Sequence, residues 1–341
     1  MTPGASSPGA SGQAERPDLL VFGNLIVDDV VLLDGTTRMN QPGGAVIYAA
    51  LGAAVWGARV GLVSRVGDDY PASALDALAS RGVLLDGVRP LGRQGIRSWI
   101  LYEARGRQMV HQIGSPTHAE ATPRPVDVPV AWFEAPAALV SPSPLTEQRV
   151  LLDALTTQGT RLLGIDPHTP VTEATLVDWR AALERVDVFF VSEAELQLEP
   201  EPSTADPDAG SQASSVPPGV GHTPDEPRVG PLARLAGGRV AAVLLKRGEH
   251  GGLLYEPATG HVTAWRGRAA AVVDPTGAGD AFAGGFLGAL GRGHSLPGAL
   301  ACGVVSASFA VEAWGADGLL AATCEQAERR LAAWFPDVSR R

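Results

Sequence analysis

Asp274-Pro-Thr-Gly-Ala-Gly-Asp280-Ala-Phe282 decides the reading of this 341-residue chain. A glycine-containing turn runs straight into an apolar helix, with a carboxylate at the junction. Gly277 and Gly279 tolerate backbone angles that crowd other residues, so the N–H groups of Gly277, Ala278 and Gly279 can converge on one anion while the helix dipole adds partial positive charge. Asp280, held in the first helical turn, stands beside that anion, where a carboxylate can accept a proton from an attacking hydroxyl. One loop then supplies anion stabiliser and base. A plainer reading of the same residues is that Thr276 or Asp280 caps a helix.

Working outward, 45% hydrophobic and 19% charged residues give enough apolar surface for one large α/β domain or two smaller ones. A formal net charge of −10 argues against a polyanion-binding surface, so no nucleic-acid partner is expected. Cys302 and Cys324 are too few for a disulfide framework. His111, His168, His250 and His261 show no metal-ligand spacing and read as surface or core residues. No apolar run approaches ~18 residues and the first residues lack signal-peptide character, so a cytoplasmic protein without membrane contact is expected.

Residues 1–17 are Gly, Ser, Pro and Ala-rich and read as a disordered tail; 336–341 form a short C-terminal tail. Between them, the strand at 19–22, the small-residue helix at 44–56 and the strand at 59–66 make a β-α-β unit. The alternation continues with strands at 137–141, 161–165, 187–191 and 241–245 and helices at 145–157 and 174–184. Helices at 279–290, 296–312 and 323–334 close the chain. A parallel sheet is therefore expected. Short half-polar segments within about 30–41 and 95–114, including a hairpin through Arg105-Gly106, read as antiparallel strands of a lid. The polar stretch 199–228 reads as a disordered insertion.

The 274–282 stretch, with Gly284 and Gly285 after it, closely resembles the C-terminal signature of the PfkB (ribokinase-like) family of sugar and nucleoside kinases. The resemblance runs over 19–335 and implies a ribokinase-like three-layer α/β/α sandwich with a small β-sheet lid, a lid often used for homodimerisation. It also implies ATP-dependent, magnesium-assisted phosphorylation of a hydroxyl on a small sugar or polyol, with cyclitols or nucleosides as alternative acceptors. Asp28 reads as a loop carboxylate at the end of the first strand; it resembles the family's sugar-hydroxyl acceptor, although neighbouring Asp29 shows that acids are not scarce here. Gly43-Gly44 opens a helix and lets a polyol approach the backbone. The family has Asn four residues later; here it is Tyr48, which either lines the acceptor pocket or packs in the core.

Ser192-Glu-Ala-Glu195 resembles the family's Asn-x-x-Glu motif, in which the glutamate orients the water shell of Mg2+, yet Ser-x-x-Glu is equally a capping box. Lys246, the only lysine, sits with Gly248 and Gly251 in a stretch that resembles the family's nucleotide-contacting turn; Arg247 is an alternative cation. Asp166-Pro-His168 is placed to add to the magnesium or substrate shell. The helix at 299–310, with Cys302, Gly303 and Ser306, offers a flat slot for adenine, or ordinary close helix packing. Tyr48 and Ser192 also leave open a binding protein that keeps the fold without turnover. A dinucleotide-binding enzyme is disfavoured because no G-x-G-x-x-G follows the first strand.

Overall fold

The computed structural model describes residues 16–104, 106–199, 226–269 and 271–338. The tail at 1–15 and most of the polar insertion, 200–225, lie outside the described residues. The nine-stranded sheet has the order β15-β14-β13-β11-β9-β8-β1-β4-β5. Its strands are β1 (Leu19–Asn24), β4 (Val60–Val66), β5 (Val83–Pro90), β8 (Ala137–Val140), β9 (Leu162–Ile165), β11 (Val188–Ser192), β13 (Ala242–Lys246), β14 (Gly252–Glu256) and β15 (His261–Trp265). From β5 across to β13 all pairings are parallel, while β14 and β15 add antiparallel at one edge.

Both faces of the sheet are covered, which explains why the parallel strands read as continuous apolar runs. Leu19 and Val21 enter one core while Leu20 and Phe22 enter the other, and Val188/Phe190 against Phe189/Val191 repeats the alternation. On the first face lie α1 (Ala45–Ala54), α2 (Ala72–Ser80), α7 (Ala278–Gly291), α8 (Leu296–Val311), α9 (Asp317–Ala321) and α10 (Cys324–Trp334). The other face is covered by α4 (Leu145–Thr157), α5 (Leu176–Leu183) and α6 (Glu226–Ala233). A short α3 (His118–Ala121) and the two-residue pair β10 (Val171–Thr172) and β12 (Leu196–Gln197) lie outside the large sheet. Among the described residues, no helix is long and apolar enough to cross a membrane.

A separate four-stranded sheet of order β3-β2-β6-β7 forms the lid, from β2 (Ile26–Val31), β3 (Thr37–Gly43), β6 (Ile96–Glu103) and β7 (Gly106–His111). It differs from the sequence expectation in two ways. Its first hairpin spans 26–43 instead of 30–41, and β2 pairs β6 in parallel, with antiparallel pairing confined to the two hairpins. Asp28 is therefore a strand residue of the lid, not a loop residue, and Gly43 ends β3 while Gly44 caps α1. The expected insertion also ends early, because α6 begins at Glu226, and Pro336–Val338 form a turn instead of a free tail.

The sheet order reverses between β1 and β8, which places a crevice at the carboxyl ends of those strands. Above it, α7 packs on α1 at backbone distance. A methyl group at Gly284 would lie 1.9 Å from the Ala49 carbonyl oxygen, and one at Gly52 would lie 2.4 Å from that of Ala281. These glycines are contact surfaces, since neither neighbour is a flexible side chain. In an open helix Gly→Ala stabilises by ~1 kcal/mol. Gly284→Ala should instead destabilise the protein by about 3 kcal/mol, the scale of an overpacked core, as read by chemical denaturation.

Candidate active site

The turn at 275–277 is fixed from three directions. Asp274, buried, accepts the Thr276 N–H at 2.9 Å and the Gly315 N–H at 3.1 Å. The Tyr102 hydroxyl, from the lid, meets Thr276 Oγ1 at 2.8 Å. Beneath the turn lies Tyr48: Gly277 has φ 76°, a left-handed conformation, and a Cβ there would sit 2.2 Å from the tyrosine ring. Tyr48 is 3% exposed and belongs to the core under α7, so its ring is a floor for the turn. Gly277 caps α7, and Ala278, Gly279 and Asp280 form its first turn, whose leading N–H groups have no partner within the helix. That of Ala278 reaches back to the Pro275 carbonyl at 3.4 Å.

Charges gather around this helix start. The Lys246 amine is ion-paired with buried Asp166, and a Cβ on Gly279 would lie 3.4 Å from Lys246 Nζ. Asp280, Glu195 and Asp166 all lie within electrostatic reach of Lys246. Burial raises the Asp280 carboxyl above its usual range, against the opposing pull of Lys246 and Arg107. Burial likewise raises that of Asp166, against its lysine partner. Glu195 and Ser192 do form a reciprocal box, Ser192 N–H to Glu195 Oε2 at 2.7 Å and Glu195 N–H to Ser192 Oγ at 3.3 Å. It closes the turn after β11 instead of starting a helix, and it holds Glu195 at the sheet's carboxyl edge.

On the lid, alternate residues Ser98, Ile100 and Tyr102 share one face with their cross-strand partners His111, Met109 and Arg107. The Tyr102–Thr276 bond shows that this face looks onto the anion turn. Arg107 is open to solvent yet within electrostatic reach of Asp280 and Asp28. Asp28 and Asp29 separate cleanly. Asp29 is clamped by Arg97 at 2.8 Å through both oxygens and by the Asn40 N–H at 2.7 Å, so it ties lid strands together. Asp28 has a buried Oδ1 with no partner. Its carboxylate fills the place where a Gly43 side chain would be, 1.8 Å from a Cβ there, and burial pushes its pKa up to about 7.

A cavity of about 570 Å³ opens on the other side of Gly279, lined by Lys246, Gly248, Gly251 and Gly279 at one end. Phe282, stacked on Trp265 at 5.2 Å, and Val304, Ala307 and Val311 of α8 make its apolar walls. Gly303 is not among the lining residues: its Cβ position abuts Phe282 at 3.0 Å, and Ser306 is turned inward to bond Trp56 and the Gly52 carbonyl. The slot on α8 is thus the face beside the small residues, whose own face is spent on helix packing.

Sequence reasoning missed Tyr102, Arg107 and Trp265, which belong to half-polar strands without a distinctive motif, and the structural part of Asp274. It also found no spacing that joins the histidines and read them as surface or core residues. His111, His118 and His168 meet in space, with ring centroids 4.9 and 4.4 Å apart.

Comparison with known proteins gives the family and the fold. The family described as pfkB family carbohydrate kinase matches residues 18–322. A cytidine kinase of Thermococcus kodakarensis is 30% identical over 304 residues, covering 87% of this chain and 97% of the relative. The fold is that of the Burkholderia thailandensis nucleoside kinase in complex with inosine, with TM-score 0.67 at 16% identity over 93% of this chain and 98% of that one. It is equally that of the Arabidopsis thaliana ribokinase complexed with ribose and ATP, with TM-score 0.66 at 21% identity over 93% and 99%. The chain has a ribokinase-like fold and belongs to the PfkB family of carbohydrate kinases.

Proposed function

We propose that this protein transfers the terminal phosphoryl group of ATP to a hydroxyl of a small polyol, a sugar or the sugar of a nucleoside. The observation that carries this reading is the placement of Asp280 and Lys246 at a helix start that has the apolar cavity on one side and meets the lid through Tyr102 and Thr276. The apolar cavity has the size and walls for a nucleotide base, with its phosphates directed at Gly279. Asp28, with its unpartnered Oδ1, accepts hydrogen bonds from neighbouring hydroxyls and orients the acceptor.

Asp280 then takes the hydroxyl proton as the new O–P bond forms and the bond to the ADP oxygen breaks. The N–H groups of Gly277 and Gly279 and the amine of Lys246 hold the charge on the transferring group. A carboxyl pKa raised by burial makes Asp280 a stronger base than a solvated aspartate. Tyr48 acts through the turn it supports, leaving sugar contacts to Asp28 and the lid face.

The residues also fit a hydrated magnesium ion. Asp166 Oδ1 is buried without a partner and Glu195 stands beside it, while no three acidic, histidine or cysteine side chains among the described residues form a direct metal cage. Glu195 and Asp166 would hold the ion through water. Bound there, Mg2+ supplies positive charge against the β- and γ-phosphates.

Asp280→Asn should leave ATP binding nearly intact and lower kcat at least about a hundredfold in a coupled ADP assay. In the wild type, kcat should fall on the acid side as Asp280 is protonated, with the midpoint above that of an ordinary aspartate. Near-normal turnover in the variant would exclude Asp280 as the base.

Asp28 gives a separate test with a definite sign. Its carboxyl titrates near 7 folded against 3.8 in the reference state, so the folded chain holds the extra proton between those values and loses stability as pH rises through them. Asn carries no such dependence. The melting temperature of Asp28→Asn relative to wild type should therefore rise from about pH 5 to about pH 8, while KM for the acceptor increases at least about tenfold.

A further inference from the structure

The lid continues past Asp28 into a cluster of histidines. Ser98, paired with Asp28 across β2 and β6, bonds His111 Nδ1 at 2.8 Å, and His111 touches His118, which touches His168. His168 follows the end of β9 and Asn24 ends β1, so the three rings line the crevice where the sheet order reverses. None of them is used by the phosphoryl-transfer chemistry.

Asn24 Nδ2 lies 3.0 Å from His118 Nδ1. An amide nitrogen only donates, so Nδ1 is the acceptor and the ring proton sits on Nε2. That Nε2 is buried without a partner, and so is the Asn24 Oδ1. One residue pair therefore holds an unmet donor and an unmet acceptor, both buried, at the carboxyl end of β1, the pattern that matches the edge of an amide-like heterocycle. Burial, with help from the neighbouring imidazoles, lowers the His118 pKa to about 4, so the ring is uncharged at neutral pH and offers a phosphate or carboxylate no ion pair. Neutral imidazole faces suit stacking on a planar base.

We infer that His111, His118 and His168, with Asn24, form a nucleobase subsite, which makes the acceptor a nucleoside whose ribose is held by Asp28. The inference rests on the kinase reading. A free pentose would fill the space at Asp28 and leave the Asn24–His118 pair unmet; the attached base meets it.

The test compares cytidine, uridine, adenosine, inosine and guanosine with ribose and ribose 5-phosphate, using the full chain with ATP and Mg2+. At least one nucleoside should exceed ribose in kcat/KM by about tenfold or more, and His118→Phe should cut that ratio by a similar factor through KM. In wild-type protein labelled at its histidines, that nucleoside should shift the His118 imidazole resonances and ribose should not, a readout independent of how the variant folds. Equal use of ribose, preference for the sugar phosphate, or an unmoved His118 resonance would overturn the subsite. A chain that phosphorylates none of these compounds would instead overturn the kinase reading, and the resonance shifts would then decide the nucleobase subsite alone.

Discussion

Backbone contact between α1 and α7 is the constraint on which the site depends. Because Gly284 lies against the Ala49 carbonyl and Gly52 against that of Ala281, α7 has no freedom to slide or roll on its neighbour. The turn before it is settled by the same pair of helices, since Gly277 rests on the ring of Tyr48 from α1. Asp280 is thereby aimed by close packing of backbone and ring, without a side-chain hydrogen bond in that contact. The polar contacts from Asp274 and Tyr102 then join the turn to the 315 loop and to the lid.

Electrostatics sets the second condition. Asp28, Asp166, Glu195 and Asp280 crowd one region, and burial raises three of them. The compensating cations come from different bodies, Lys246 from the sheet edge and Arg107 from the lid hairpin. Moving the lid would therefore change the charge felt by Asp280 and Asp28 as well as the access of water. The same hairpin carries Tyr102 and His111, so a movement of the lid would alter the contact with the anion turn and the charge balance together.

Much of this was legible in the chain because buried parallel strands have no polar face: Leu19–Phe22 and Val188–Val191 admit hardly any other reading. The 274–282 stretch was equally legible, since each of its residues answers to a local requirement. The lid was less so. Thr37–Gly43 is half polar and contains proline, and the parallel pairing of β2 with β6 depends on segments far apart in sequence. Choosing between Asp28 and Asp29 required knowing which one Arg97 occupies. The histidines at 111, 118 and 168 have no shared spacing, and only the reversal of strand order brings them together. Gly303 shows the converse error, for a small residue leaves space only when its neighbour does not fill it, and Phe282 does.

The position of Lys246 also has a chemical consequence. As the chain's one lysine, it carries the single side-chain amine of the protein, and that amine is ion-paired with Asp166 beside Gly279. The α-amino group aside, amine-directed reagents find no side-chain target where the basic groups are arginines, and reach an amine only at the cavity lined by Lys246. Amine labelling of this protein is thus site-directed by composition, and its extent at Lys246 reports on whether that cavity is filled.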